Sequence, residues 1–261
     1  MQLKPAMNYY LKGKSPKEWM DYATECGFRY MEITVSHLPD EPARQDEIIA
    51  LAKEKGFELS LHSAFGKNNI IDTDEENRVR SIAQAKAAID LAARHDLLCV
   101  TFHPGRLSAE WESIAEKWEQ LLKTVGQIAE YAKEKKVRVG LENMERRNYE
   151  LVYTVEDLNR FAELGKDNPY FGVTLDFAHF SSHGILKLDL SKLKLPVYNV
   201  HLSQGLNGKM HVPLTVEKGM VDLESVCRVL KDYDYDSLVV FEVPGDHLGG
   251  RHLLEETMRQ V

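Results

Sequence analysis

Short apolar runs alternate with longer stretches of helical periodicity along the whole chain. The β-rich runs are 3–8 (LKPAMN), 28–34 (FRYMEIT), 57–63 (FELSLHS), 97–103 (LLCVTFH), 137–143 (VRVGLEN), 170–176 (YFGVTLD), 196–202 (PVYNVHL) and 237–243 (SLVVFEV). Their length and their β-branched and aromatic content suit buried strands. Helical periodicity predicts helices at 16–26, 43–55, 75–95, 111–135, 154–164 and 248–260. In 75–95 the expected buried stripe is Val79, Ile82, Lys86, Ile89 and Ala93, with a capping box from Thr73 to Glu76. In 111–135 it runs Trp111, Ile114, Trp118, Leu121, Val125, Ile128 and Ala132, and KEKK sets positive charge at the helix's negative end. The weakest helix signal follows the sixth strand, in SSHGILKLDLSKLKL.

Eight strands, each followed by helical sequence, predict an α/β chain folded as a (β/α)8 TIM barrel, one domain over residues 1–261. The rival, a doubly wound open sheet, usually carries a glycine-rich turn after its first strand, and NYYLKGKS is not one. The composition fits a globular chain: 43% hydrophobic, 28% charged, with no low-complexity run. Lys and Arg number 33 against 41 Asp and Glu, a net charge of −8, which disfavours a nucleic-acid coat. Cys26, Cys99 and Cys227 have no CxxC spacing and read as reduced packing thiols. With no signal core and no run of about 18 apolar residues, the expected setting is the cytoplasm, away from membranes.

In such a barrel the C-terminal strand ends open onto the active-site face. Here seven of the eight runs place an acid or an imidazole near that end: Glu32, His62, His103, Glu142, Asp176, His201 and Glu242. A single such residue is explained by a buried hydrogen bond or a helix cap. Seven converging are not, because four carboxylates in one partly buried mouth repel one another by several kcal/mol, roughly, unless cations lie between them. Carboxylates and neutral imidazoles make a hard-to-borderline donor set that suits Mn²⁺ or Zn²⁺, and also Co²⁺ or Fe²⁺. In GVTLDFAHF, residues 172–180, Asp176 then serves as a ligand, and His179 holds a second ion or a substrate oxygen. His37, His95, His183, His247 and His252 fall in loops or at helix ends, where surface solvation is expected.

The ordered set His62, His103, Glu142, Asp176, His179, His201, His211 and Glu242, running from GFRYMEI to VVFEVP, resembles the xylose-isomerase-like barrel superfamily. That group holds sugar isomerases and epimerases and the endonuclease IV type of apurinic-site nucleases. The resemblance implies one metal on Glu142, Asp176, His201 and Glu242. It also implies proton transfer through a metal-bound enediolate by the paired glutamates Glu142 and Glu242. His179 would contact substrate. The nuclease branch adds a metal on His62 and His103 with Glu142 bridging, so one or two ions are expected. Its third site joins the histidine at 179 to an Asp-x-His pair, and here GKMHVPL carries His211 but sets Lys209 in the aspartate's place. An ammonium there repels a cation, so that site reads as broken. The aromatic that probes DNA in those nucleases corresponds to Phe65, for which packing is the simpler expectation.

The expected protein is therefore a divalent-metal-dependent isomerase or epimerase of a sugar, sugar phosphate or related polyol ketone. Glu32, His179, His211 and Lys209 are its expected substrate contacts, the lysine toward a phosphate. The alternative is an endonuclease IV-like phosphodiesterase acting on abasic DNA, which requires a basic groove; MERR (144–147) holds the one obvious arginine pair. The expected partner is a small sugar, with a homo-oligomer compatible with the sequence.

Overall fold

The barrel strands are short, buried runs rich in β-branched, aliphatic and aromatic residues, such as YMEIT, FGVTLD and LVVF. The computed structural model describes residues 3–9, 13–147 and 149–261. Among them, eight parallel strands close into a barrel: β1 (Lys4–Tyr9), β2 (Tyr30–Thr34), β3 (Glu58–His62), β4 (Val100–Phe102), β5 (Val139–Glu142), β6 (Phe171–Asp176), β7 (Val197–Leu202) and β10 (Leu238–Phe241). Each neighbours its sequence neighbour, and β1 closes the ring against β2 and β10. The predicted (β/α)8 architecture is the one observed. A short antiparallel hairpin, β8 (Gln204–Leu206) with β9 (Lys209–Val212), follows β7.

Helices α1 (Pro16–Glu25), α2 (Pro42–Glu54), α3 (Glu75–His95) and α4 (Ile114–Lys135) follow the first four strands. The predicted helix over 154–164 is broken into α5 (Val155–Asn159) and α6 (Ala162–Gly165). After β6 come the short α7 (Phe177–Ser182) and a 3₁₀ turn at Leu190–Lys192, the place where the sequence signal was weakest. Helices α8 (Leu223–Asp232) and α9 (His247–Gln260) complete the outer layer. No helix among the described residues is long and apolar enough to cross a membrane.

Two helix faces differ from expectation. In α3 the buried residues are Ser81, Ala85, Ala88, Ile89, Leu91 and Ala92, while Val79 and Ala93 face solvent. Small side chains let this helix lie close to the strands, and close packing wins over the bulkier stripe. In 111–135 the stripe is buried from Trp118 onward, but Trp111 and Ile114 are exposed at the helix entrance. The cap of α3 is Asp74, accepting from the Glu76 and Asn77 amides. Thr73, expected to cap, instead bonds Glu112 and accepts from Lys117 Nζ at 3.1 Å.

The two loops after β3 and β4 are tied together by one side chain. Asn69 accepts from the Ile71 and Arg106 amides and donates to the Arg106 carbonyl at 2.8 Å. Gly105, at φ +83°, allows this approach, since a Cβ there would stand 2.5 Å from Asn69 Oδ1. The result fixes Arg106 at the barrel mouth. Cys26, Cys99 and Cys227 are buried free thiols.

Candidate metal centre and active site

Strand periodicity builds the site in two layers. Ser60, Thr174 and Asn199 are buried, and the residues two further along their strands are His62, Asp176 and His201. The lower layer is a closed polar network: Asn199 Nδ2 donates to Glu32 Oε2 at 2.7 Å and to Thr101 Oγ1 at 3.1 Å, and Ser60 Oγ donates to Glu32 at 3.2 Å. Glu32 is 2% exposed within this layer. Its expected role as a substrate contact is therefore corrected. It lies in the middle of β2, and its Oε1 meets His201 Nε2 at 2.9 Å.

The upper layer gathers the strand-end residues. Glu142 Oε1 meets His201 Nδ1 at 2.8 Å, while its Oε2 faces His62 Nε2 at 3.3 Å and His103 Nε2 at 3.1 Å. Glu242 Oε2 stands 3.2 Å from the same His201 nitrogen and 3.6 Å from His211 Nδ1. One ligand atom from each of Glu142, Asp176, His201 and Glu242 lies within 4.8 Å of the others. His62 joins Glu142 and His201 in a second such group, whereas His103, although it meets Glu142 Oε2, belongs to neither.

Asp176 and His179 share the start of α7. One aspartate oxygen caps the helix, accepting the His179 amide at 2.8 Å. The other, Oδ2, is buried without a hydrogen-bond partner among the described residues. Asn143 holds this strand end, bonding the Asp176 amide and carbonyl at 2.8 and 3.0 Å. His179 Nδ1 donates to the Asn143 carbonyl at 2.7 Å, so in the neutral ring the lone pair sits on Nε2.

The electrostatics ask for positive charge. Burial works against charge throughout. Even so, His201, His103 and His62 hold Glu142 well below the usual carboxylate range. Against the same burial, Glu32, Glu142 and Glu242 lift His201 well above the ordinary imidazole value, and Glu142 lifts His62 to about 9. For Asp176, burial dominates and raises its carboxyl. Two carboxylates within 4.8 Å of one another repel by at least about 3 kcal/mol at an effective dielectric near 20. Three of them around one imidazole, one oxygen being an orphaned acceptor, make a donor set that a divalent cation fits: Glu142, Asp176, His201 and Glu242 could hold it. Glu32 would fix the His201 tautomer, leaving Nδ1 as the ligand atom.

Above the quartet lies a cavity of about 640 Å³ whose walls include Phe65, His103, Arg106, Met144, His179 and Glu242. Phe65 is 40% exposed on the cavity wall and stacked on His103 at 5.6 Å, so the packing expected of it is made against an imidazole of the site. His211 reaches the cavity from β9 with φ at 57°, a left-handed conformation that costs a non-glycine residue of order 1 kcal/mol or more. Lys209 is exposed on the hairpin and does not line the cavity, which corrects its expected place beside substrate. The sequence reading missed Glu145 and Glu150 on the cavity wall. Burial pushes Glu150 up to about 7. The signal for Glu145 lay three residues beyond Glu142, in the same MERR that attracted notice for its arginines.

The remaining histidines split. His37, His95 and His183 are half-buried, and His252 is exposed. His247, expected at the surface, is fully buried against Trp19, Tyr22 and Phe28.

Residues 20–260 match the family model described as a xylose isomerase-like TIM barrel. An uncharacterized protein of Methanocaldococcus jannaschii is 26% identical over 237 residues, covering 87% of this chain and 83% of its own. Among solved structures, a D-tagatose 3-epimerase-like protein superposes with a TM-score of 0.82 at 22% identity, over 99% of this chain and 98% of its own. D-psicose 3-epimerase from Clostridium cellulolyticum H10, solved with D-tagatose, gives 0.76 at 16% identity over 98% and 99%. At such identities the structural likeness is one of fold.

Proposed function

We propose, for a chain that belongs to the xylose isomerase-like TIM barrel family, that it is an isomerase or epimerase of a sugar, sugar phosphate or related polyol ketone and depends on a divalent metal. The observation that carries this is the meeting of Glu142 and Glu242 on one nitrogen of His201, at 2.8 and 3.2 Å, on the floor of a cavity both help to line. A cation on Glu142, Asp176, His201 and Glu242 would supply positive charge where substrate oxygens become negative.

The chain's own groups do the rest. One of the two glutamates takes the proton from the carbon beside the carbonyl, and the other returns one from across the substrate. Glu142 is sunk in the barrel, with 1% of its side chain exposed, while Glu242, at 21%, faces the cavity. Phe65 and Met144 offer apolar surface to the C–H face of a sugar ring, and Arg106 and Arg146 offer donors to its oxygens or to an anionic substituent. A cavity of about 640 Å³ accommodates a monosaccharide. The ketohexose epimerases that share the fold make ketohexoses the first candidates.

Metal-loaded protein incubated with a ketose panel in D₂O should place deuterium on a carbon beside the carbonyl, and Glu142→Gln and Glu242→Gln should each abolish it. A second reading, phosphodiester hydrolysis, is supported by Arg106, Arg146 and Arg147 at the same cavity and by His62 and His103 on Glu142. Nicking of an abasic duplex with no deuterium in any sugar would replace the first reading by the second.

A further inference from the structure

Beside the quartet, three side chains from separate parts of the chain converge. Glu145 lies in the loop after β5, His179 in α7 and His211 in β9, and one ligand atom of each lies within 4.8 Å of the other two. All three line the cavity. His179 is 3% exposed, and with Nδ1 committed to the Asn143 carbonyl, its Nε2 is buried with no hydrogen-bond partner among the described residues. Asp176 Oδ2, 3.6 Å from that nitrogen, lies beyond hydrogen-bond distance and is itself without a partner among the described residues. A buried acceptor left this way costs about 1–3 kcal/mol. The His179 and His211 rings meet edge to face at 5.3 Å. Glu145 is 7% exposed; its Oε1 accepts from Arg147 Nε at 2.7 Å, and a carboxylate retains further lone pairs.

We propose that Glu145, His179 and His211 form a second divalent-cation site, separate from the Glu142–Asp176–His201–Glu242 quartet, with the chemistry of a zinc site. Two imidazoles and one carboxylate are a donor set for Zn²⁺ that leaves coordination for water or substrate on the cavity side. The sequence placed Lys209 where a carboxylate was needed. In the structure Lys209 stays in solvent on the hairpin, and the carboxylate comes from the loop after a different strand. Arg147 takes no ligand position: its side chain is 68% exposed and its Nε pairs with one Glu145 oxygen, Oε1, while a carboxylate has a second oxygen to offer an ion.

The test is Zn²⁺ titration of the chelator-stripped full-length protein, followed by calorimetry and by elemental analysis after gel filtration. The wild type should retain two ions per chain, and Glu145→Gln one. The lost equivalent should weaken by more than about 100-fold, beyond the 10–100-fold expected from losing an orienting partner alone. Glu242→Gln should weaken the other ion and spare this one. Arg147→Gln, which removes the ion pair but no ligand, should keep both. A single ion in the wild type, two in Glu145→Gln, or equal loss in Arg147→Gln and Glu145→Gln would overturn the assignment. The readout is ion count, so it stands apart from any result on sugar exchange.

Discussion

Asp176 Oδ2 and His179 Nε2 stand 3.6 Å apart, both buried and neither with a hydrogen-bond partner among the described residues, although the two residues are joined by a cap bond from the His179 amide to Asp176 Oδ1. Helix capping accounts for one oxygen of this aspartate and leaves the other facing its neighbour's lone pair. The local strand-to-helix turn explains half of the pair, and the proposed cation centre would account for the rest.

Asp176→Asn keeps the capping oxygen and supplies an NH₂ in place of the orphaned one. Stripped of metal, the variant should melt at or above the wild-type temperature, because a buried unsatisfied acceptor worth about 1–3 kcal/mol gains a donor. Its divalent metal content should collapse. Thermal melts with and without chelator check both halves, and a stripped variant melting well below wild type would contradict the account.

Glu32→Gln should lower metal affinity without emptying the cavity of its other donors. The glutamate holds His201 Nε2 at 2.9 Å and is itself held by Asn199 and Ser60. Loss of an orienting carboxylate behind a ligating imidazole costs about 10–100-fold in affinity. Competition titration against a chromophoric chelator measures it, and unchanged affinity would show that the ring is fixed by other contacts.

Phe65→Ala should leave the fold intact and impair substrate capture. The ring is 40% exposed and stacked on His103, so its removal opens no core cavity. An aromatic contact is worth about 0.5–1.5 kcal/mol, which corresponds to a KM rise of up to about tenfold. Steady-state kinetics on whichever substrate exchanges deuterium give the answer, read against an unchanged melting temperature.

His247 should make folding stability fall with acid. Burial lowers its pKa to about 4, and Asn8 turns its NH₂ toward His247 Nε2 at 2.9 Å, a position that a protonated ring could not accept. The unfolded value is about 6.5. The folded pKa is the lower one, so the contribution is full above the unfolded pKa. It is lost as pH falls from about 6.5 through about 4, by roughly 3 kcal/mol at most. His247→Phe should flatten that part of the pH–stability curve. Parallel curves for the two proteins would rule this histidine out as the cause.

The sequence by itself determined the strands and the direction their ends face. Residues 28–34, 57–63 and 170–176 carry both the length and the apolar alternation of strands, and chain order then makes the barrel nearly unavoidable. With the barrel given, His62, Glu142, Asp176 and His201 must meet, because strand ends in a closed ring have nowhere else to point. What only the tertiary structure decided was depth and partnership. Glu32 looked like its acidic counterparts, yet the stagger of β2 sinks it one layer lower, where it serves His201. Glu145 passed unnoticed beside two arginines, and it acquires meaning from His179 and His211, 34 and 66 positions away in the chain. Val79 and His247 likewise fit no rule of spacing, since one is exposed by alanines that bring α3 close to the strands and the other is buried by aromatics from α1 and β2's approach. Periodicity records which face of an element turns inward. Which residue stands opposite is set by contacts between distant segments, and those exist once the ring has closed.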